Sequence, residues 1–171
     1  MNKKTIWGLS KSLFLILSVI PLSGESTFAC PGGTYRSSSY LSALIAGNPL
    51  LQVTSDSTEL RLSNGSITLS SIADLYADGN GVPFTGNGEL KARGRYQLVT
   101  RNRKRFIKIN SVSADIFTAK LNINGEEASR NDYRNLVFSD RMIEYRCSGN
   151  RLFLIIDVGR ASTTFTFSRA R

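Results

Sequence analysis

The chain has 171 residues, with 22 lysines and arginines against 13 aspartates and glutamates, and its formal net charge is +9 at pH 7. It contains no histidine, the side chain that most often serves as a general base and as a metal ligand. It also lacks a glycine-rich phosphate loop before a helix, a Gly-x-Ser-x-Gly motif and a Cys-x-x-Cys pair. These absences predict a protein that is not an enzyme and uses neither a metal nor a cofactor. An enzyme with aspartate or glutamate as its base is the alternative, although no pair of carboxylates is singled out.

Residues 1–29 have the pattern of an export signal. A positively charged start leads into an apolar run, Ser12 to Ser23, which is too short to cross a bilayer. The triplet Thr27-Phe28-Ala29 has the small-x-small form that signal peptidases accept. We therefore predict cleavage after Ala29, which leaves residues 30–171 as a single exported domain, periplasmic or extracellular, without a transmembrane segment.

The two cysteines, Cys30 and Cys147, have three candidate states. Disulfides persist in exported proteins, and two cysteines allow only one pairing within the chain. Such a bridge closes a long loop and is worth roughly 4 to 5 kcal/mol in the chain-entropy model. The alternatives are a free thiol or a lipoprotein acylated on Cys30, although Thr27 and Phe28 do not match the usual lipoprotein signal. We expect the Cys30–Cys147 disulfide and keep lipid anchoring as the alternative.

The first predicted elements of the exported domain are a short helix and a hairpin. Tyr40 to Ala46 is the one helical candidate, whereas residues after Leu50 alternate between apolar and polar with the period of a strand. Within TELRLSNGSITLSS, Asn64-Gly65 is the signature of a two-residue type I′ turn. Such a turn places four apolar side chains on one face of the hairpin. The pairs it predicts are Ser63 with Ser66, Leu62 with Ile67, and Leu60 with Leu69.

A long strand follows within GNGVPFTGNGELKARGRYQLV. From Gly88 to Leu98 its alternate residues are small or apolar on one face and charged or polar on the other. Gly88 and Gly94 fall on the apolar, inward face. Inward glycines weaken a flat strand but suit a tightly coiled sheet, where side chains or backbones approach closely. We therefore expect a barrel more than an open sheet.

The rest of the chain has the pattern of a meander. A predicted loop, TRNRKR, is followed by FIKINSV and ADIFTAKLNING, and the last third contains RMIEYRC, RLFLIIDVG and STTFTFSR between short turns. Short strands joined by hairpin-length turns, with no helix between them, are typical of antiparallel sandwiches and barrels. The predicted fold class is all-β, an antiparallel meander closed or nearly closed into a barrel, with a short helical segment near its start.

Three motifs resemble small exported bacterial proteins with a lipocalin-like, calycin-type β-barrel. They are GGTYRS after the export signal, YRCSGNRLFLI near the end, and TTFTFSRAR as the closing strand. In that family the first strand carries Gly-x-Trp, and an arginine beside the last strand packs over the indole. Gly33 and Tyr35 match the first feature, with tyrosine in place of tryptophan, and Arg169 matches the second. The resemblance implies a lipocalin-like barrel closed by a contact of these three residues, and a small apolar ligand.

Basic residues concentrate in the middle of the chain, with Glu89 as the only local acid. They are Lys91, Arg93, Arg95, Arg101, Arg103, Lys104, Arg105 and Lys108. On one outer patch they would attract phosphates, sulfated or uronic polysaccharides, or anionic lipid headgroups. A solvated strand edge that resists aggregation is the alternative. Nucleic acid is not expected, because its binding needs exposed aromatic rings among the cations, and we assign Tyr96 and Phe106 inward or to a strand end.

Two classes of function remain open. The first is a monomeric binding protein that holds a small apolar molecule inside its barrel or binds an anionic envelope polymer on its basic patch. The second is a structural or inhibitor-type protein whose barrel is filled by its own side chains and which acts through protein contacts. Barrels of about eight strands either fill with side chains or leave room for one small ligand, so the pattern alone does not decide.

Overall fold

The structure, a computed structural model, describes residues 32–46, 51–79, 81–138, 142–158 and 161–170. The predicted export signal and Cys30 lie outside the described residues. The described part contains nine strands and one helix. In chain order they are β1 (Gly33–Ser37), α1 (Tyr40–Ile45), β2 (Gln52–Ser63), β3 (Ser66–Gly79), β4 (Val82–Arg101), β5 (Lys104–Ile123), β6 (Glu126–Arg134), β7 (Met142–Ser148), β8 (Arg151–Val158) and β9 (Ala161–Arg169).

Eight of the strands form a closed antiparallel barrel. Their order is β4-β3-β2-β1-β9-β8-β7-β5, and the pairing of β5 with β4 closes the ring. β6 lies outside the ring, against the second half of β5. The prediction of an all-β antiparallel meander closed into a barrel, with one short helix, is confirmed. Within the described ranges no helix is long and apolar enough to cross a membrane.

The β2–β3 hairpin folds in the register that its sequence predicts. Asn64 and Gly65 have φ angles of 48° and 73°, the positive values that both central residues of a type I′ turn require. The four apolar side chains of the hairpin are at most 3% exposed. The observed pairs include Ser63 with Ser66, Leu62 with Ile67, and Leu60 with Leu69.

β4 and β5 form one long hairpin with a tight turn. The sequence predicts a loop over TRNRKR, and this prediction is wrong, because both strands continue until Arg101 pairs with Lys104. Only Asn102 and Arg103 turn, with φ angles of 51° and 62°. Asparagine tolerates this left-handed conformation, but arginine rarely adopts it, so the sequence carries only half of the turn signal.

Two register shifts at residues 93–96 divide this hairpin into two parts. We call residues 82–95 and 111–123 its upper half and residues 96–110 its lower half. β3 pairs with β4 along the upper half, and β6 pairs there with β5. In the lower half β5 pairs with β7. The two halves therefore share their strands but not their neighbours.

Gly88 shows why the upper half needs an inward glycine. A Cβ atom at this position would lie 2.7 Å from Cε2 of Phe117 and 3.3 Å from Cδ1 of Leu75. The Phe117 side chain is 1% exposed and fills the barrel beside β4. The predicted close approach of a large side chain to this glycine is confirmed.

The barrel interior is filled by the chain's own side chains. The Tyr40 ring on α1 lies 4.7 Å from the Phe165 ring and 5.4 Å from the Phe167 ring, both on β9. The largest fully buried side chains are Tyr35, Tyr40, Phe117, Phe138, Phe167, Leu41, Leu60, Ile67, Leu69, Leu90, Ile107 and Leu152. Barrels of about this size have interiors that side chains can fill completely. The small apolar ligand that the resemblance implies stays a prediction, which these buried side chains disfavour.

Two gaps in the barrel wall are covered by segments that are not part of the ring. β1 pairs only with Thr58–Leu62 of β2, and α1 packs on β2 and β9 beyond the end of β1. β7 pairs with β5 only at Arg105–Lys108. Beyond it, the segment 135–138 contributes two buried side chains, Val137 and Phe138. Helix and loop thus complete the core where the ring strands are short.

Asp115 on β5 anchors the second of these segments. Its Oδ2 accepts hydrogen bonds from the main-chain N–H groups of Val137 at 2.8 Å and Phe138 at 2.7 Å. Its main-chain oxygen accepts another from the N–H of Asn135 at 3.0 Å. Asp115 is 4% exposed, and its Oδ1 has no hydrogen-bond partner in the described part of the chain. A side-chain oxygen on β5 therefore holds the loop against the barrel.

Candidate functional site

The three residues predicted to close the barrel lie together where the first and last strands meet. Tyr35 on β1 pairs with Arg169 on β9. A Cβ atom on Gly33 would lie 3.2 Å from Nη2 of Arg169, and that nitrogen donates a 3.2 Å hydrogen bond to the main-chain oxygen of Gly32. Burial raises the pKa of the Tyr35 phenol above 10.0, and the charge of Arg169 offsets part of that rise. The role of this contact in barrel closure stays a prediction.

Cys147 lies near the end of β7, half-buried and packed against the core. β1 and β7 run in opposite directions around the barrel, so the start of β1 and the end of β7 lie at the same barrel end. Cys30, shortly before β1 in the chain, lies outside the described residues. The Cys30–Cys147 disulfide stays a prediction, which this placement favours.

The predicted basic residues lie on the long hairpin, but they do not all share one face. Alternation along β4 and β5 points six of them outward, and Arg103 lies in the turn. Arg105 instead points inward, with its guanidinium carbon 5.9 Å from the ring centre of Tyr145. We call the outward residues and Arg103 the basic face. Its members are Lys91, Arg93, Arg95, Arg101, Arg103, Lys104 and Lys108.

Two acidic residues neutralise part of the basic face. The Glu89 carboxylate lies 2.6 Å from Nζ of Lys91. Glu144 on β7 accepts hydrogen bonds from Lys104 at 2.8 Å and from Arg146 at 3.0 Å. These bonds hold the pKa of Glu144 below its ordinary value of 4.5. The expectation that Glu89 is the only local acid is wrong, because β7 pairs with β5 and brings Glu144 beside Lys104.

The remaining cations of the basic face are exposed and unneutralised. Five of them make no ion pair with any described residue. They are Arg93, Arg95, Arg101, Arg103 and Lys108. Outward residues of one strand lie about 6.6 Å apart, so those on β4 form a spaced row of positive charge. Such a row creates an attractive field for anions that salt weakens.

Phe106 adds an aromatic ring to this face. Its register partner on β7 is Glu144, whose carboxylate binds Lys104 on the outer surface, while the next residue, Ile107, is buried. Paired residues of a sheet share a face, so Phe106 points outward near the start of β5 and is half-buried there. Tyr96 packs against the core, as expected. Phe106 therefore lies at a strand end and does not point inward, and the expectation that nucleic acid is not bound stays a prediction.

The outer surface of the upper half of the hairpin also contains a region that carries both acidic and basic side chains, unlike the basic face. A groove of about 550 Å³ crosses it, and its lining includes Asp74, Glu89, Lys120 and Arg130. Asp74 accepts a 2.5 Å hydrogen bond from the hydroxyl of Ser55. Acids and bases are mixed here, so the groove has no single sign of charge. In the described ranges no group of three or more cysteine, aspartate or glutamate side chains could hold a metal ion.

The fold and the site together define a class of protein. It is an eight-stranded antiparallel barrel whose interior is filled by side chains and whose long hairpin carries a basic outer face. No known protein family matches the chain, and no curated protein matches it either. The function is therefore inferred from the geometry and charge of the chain itself.

Proposed function

We propose that this protein is an exported, non-enzymatic binding protein with a lipocalin-like barrel, and that its basic face binds an anionic envelope polymer. The supporting observation is the set of five exposed cations without an ion pair among the described residues. A charge that is already paired contributes little to a new ligand, whereas these five keep their field available to one. The ligand class is a polysaccharide that carries sulfate, phosphate or uronate groups.

The length of the basic face favours a polymer over a small anion. Residues 91–101 of β4 are extended and span roughly 33 Å. A small anion contacts one or two of these cations, whereas a chain with repeated charges contacts all of them, and their salt-sensitive attractions combine. The buried side chains that line the interior, by contrast, disfavour a small apolar ligand.

Retention on immobilised dextran sulfate tests the proposal. The variant carries Arg93→Ser, Arg95→Ser and Arg101→Ser, which removes three charges from the basic face. We expect its dissociation constant for dextran sulfate to rise at least about tenfold, which is ~1.4 kcal/mol, and its elution to need less salt. The exposed positions of these side chains make a loss of folding unexpected, which circular dichroism checks.

A matched triple variant controls for net charge. It removes three exposed cations that lie outside the basic face and have no ion pair with a described residue, namely Arg130, Arg134 and Arg151, each replaced by serine. We expect it to keep most of the retention. Equal losses in both variants would show that only the net charge matters and would contradict the proposal. Single-stranded DNA serves as a competitor for the immobilised dextran sulfate. If it displaces the protein as effectively as free dextran sulfate does, the basic face binds polyanions in general, which would contradict the preference for a polysaccharide.

The runner-up is a structural or inhibitor-type protein that acts through protein contacts. The filled interior favours it, because a barrel without ligand space acts through its surface. A displacement assay with a hydrophobic fluorophore distinguishes polymer binding and protein contacts from a lipocalin that binds its ligand inside the barrel. We expect no saturable uptake of the dye. Saturable uptake that an apolar competitor reverses would show an internal site and contradict the filled-barrel interpretation.

Export and the disulfide are tested together by the intact mass of the processed protein. We expect a mass that begins at Cys30, and alkylation of both cysteines only after reduction. A mass increased by acyl chains, with Cys147 alone reacting, would replace the disulfide by a lipid anchor. A mass that still includes residues 1–29 after secretion would contradict the cleavage site.

A further inference from the structure

The last part of β4 has no described strand beside it on the side that faces β3. β3 pairs with β4 as far as Ser66 and Arg95, and the main-chain N–H of Tyr96 then donates a 2.8 Å hydrogen bond to the oxygen of Gly65. The β2–β3 turn ends there, so within the described ranges nothing pairs with residues 97–101 on that side. The opposite side of this segment pairs with β5. We call residues 97–101 the open edge.

The main-chain groups of Leu98 and Thr100 point out from this edge. N–H groups two residues apart in a strand face the same side, and that of Tyr96 faces β3. The turn leads to the same assignment. Arg101 and Lys104 flank a two-residue turn, so their main-chain groups form hydrogen bonds to each other. The N–H of Arg101 therefore faces β5, and that of the preceding residue, Thr100, faces the open edge. Leu98 is 51% exposed and Thr100 is exposed. The open edge thus presents N–H and C=O groups in the spacing that a strand recognises.

A cleft continues from the open edge toward the first strand. It has a volume of about 590 Å³ and is lined by Tyr96, by Gly32–Thr34 around the start of β1, and by Arg61–Asn64 at the end of β2. Neighbouring strands of a sheet lie about 4.8 Å apart, so a strand laid beside residues 97–101 would run into this cleft.

The other two gaps in the barrel wall are filled by the chain itself, one by α1 and the other by the segment 135–138. Main-chain polar groups along a barrel wall are normally paired, and edges are normally protected. In the part of the chain that the structure describes, this third gap has no filling segment. It is therefore the position at which an added strand completes the wall.

We propose that the open edge receives an extended, acidic segment of a partner protein, which joins the barrel as a strand beside β4. Main-chain hydrogen bonds to Leu98 and Thr100 supply affinity, as in other cases of strand addition. This site goes beyond the proposed polymer binding, because it uses main-chain groups that polymer binding leaves unused.

The charges around the open edge select an acidic partner. Arg101 lies at one end of the open edge, Arg95 lies two residues before its other end, and Arg103 lies in the adjoining turn. None of the three has an ion pair among the described residues. A second copy of the chain would bring two such sets of cations together, and like charges on paired strands destabilise each other. Charge complementarity therefore favours an acidic segment over self-association.

Fluorescence anisotropy of a labelled peptide tests this site on the full chain. The probe is an octapeptide of alternating glutamate and valine, and its control is the same peptide N-methylated at two adjacent central residues. Methylation blocks hydrogen bonds on both edges of the peptide but keeps its charge. We expect the control to bind about tenfold more weakly than the probe. Equal binding of the two peptides would show electrostatic attraction without strand pairing and overturn the proposal.

Two variants of Thr100 locate the binding on β4. Thr100→Pro removes an N–H that faces the open edge and keeps the hydrogen bonds to β5, whereas Thr100→Ala keeps that N–H. We expect the proline variant to bind the probe about fivefold more weakly and the alanine variant to bind as wild type does. Equal affinities of all three would overturn the proposal. If the proline variant does not fold, the peptide comparison on the wild-type chain still decides.

Three further results separate this site from its competitors. Retention of Thr100→Pro on dextran sulfate should equal that of wild type. A failure of strand addition can therefore be distinguished from a failure of polymer binding. Peptide binding that appears only after removal of residues 1–29 would assign the edge to the chain's own leading segment and overturn the proposal. A dimer in sedimentation that Thr100→Pro dissolves would assign the edge to a second copy and overturn it as well.

Discussion

The two halves of the β4–β5 hairpin share one residue pattern but differ in what surrounds them. In both halves alternate residues of β4 point outward, and most of these are charged or polar. The upper half lies between β3 and β6, and its outer surface mixes acids with bases, as where Glu89 pairs with Lys91. The lower half has the open edge and carries Arg101, Arg103 and Lys108 without a described ion pair. One alternating pattern thus builds a fully paired wall in the upper half and an open strand edge in the lower half.

The largest expected effect is in the upper half, where Gly88→Val should disrupt packing. The added side chain would overlap the buried Phe117 ring, so we expect the free energy of unfolding to fall by about 3 kcal/mol. Denaturant titration measures it. Gly149→Ala is the control, since its Cβ meets open space and only the φ of 55° opposes it, at a cost of about 1 kcal/mol. Equal costs at the two positions would contradict the close packing at Gly88.

Asp115 comes next, because it holds a loop against the upper half. Asp115→Ala removes the acceptor for the N–H groups of Val137 and Phe138, and we expect a loss of about 2 kcal/mol in unfolding free energy. Asp115→Asn keeps one acceptor oxygen and should lose less. Hydrogen exchange at Val137 and Phe138 should accelerate more in the alanine variant than in the asparagine variant. Unchanged exchange in both would show that the carboxylate does not anchor the loop.

The fold of the barrel was predictable where local signals agree with one another. Asn64-Gly65 demands a type I′ turn, and the apolar residues on either side demand the register that this turn imposes, so both signals lead to one hairpin. The tight turn at Asn102-Arg103 was not predictable, because arginine does not signal a positive φ. Asp115 was missed as well, since its partners are main-chain N–H groups that lie more than twenty residues further along the chain.

The candidate site was predictable in composition but not in its charge balance. Alternation on β4 correctly assigns the outward cations, because a strand has a strict period of two. Glu144 was missed, because it reaches Lys104 only through the pairing of β5 with β7. These two strands are separated in the chain by β6, which lies outside the ring. The open edge was missed for a similar reason, since it depends on where β3 begins relative to the end of β4. Long-range neighbours decide both features, and no local pattern encodes them.

Glu144→Gln should have a smaller effect, and it tests how the lower half is neutralised. Hydrogen bonds from Lys104 and then Arg146 lower the folded-state pKa of Glu144 below 4.5, so the carboxylate stabilises the fold above that pH and loses this contribution as the pH falls through the lowered value. Both cations are largely exposed, and we expect a cost below about 1 kcal/mol at pH 7. The difference between variant and wild type should shrink below pH 4.5. A difference that grows on acidification would contradict the pairing.

Leu98→Ser should have the smallest effect on folding, and it tests whether the edge is open. The Leu98 side chain is 51% exposed and its main-chain N–H faces away from β5, so we expect the unfolding free energy to change by less than about 0.5 kcal/mol. Leu90→Ser on the same strand is the contrast, because Leu90 is 0% exposed and its replacement should cost several times more. A cost at Leu98 comparable to that at Leu90 would mean that another part of the chain covers this edge in solution. The lower half would then be a packed wall like the upper half, and strand addition would have no site.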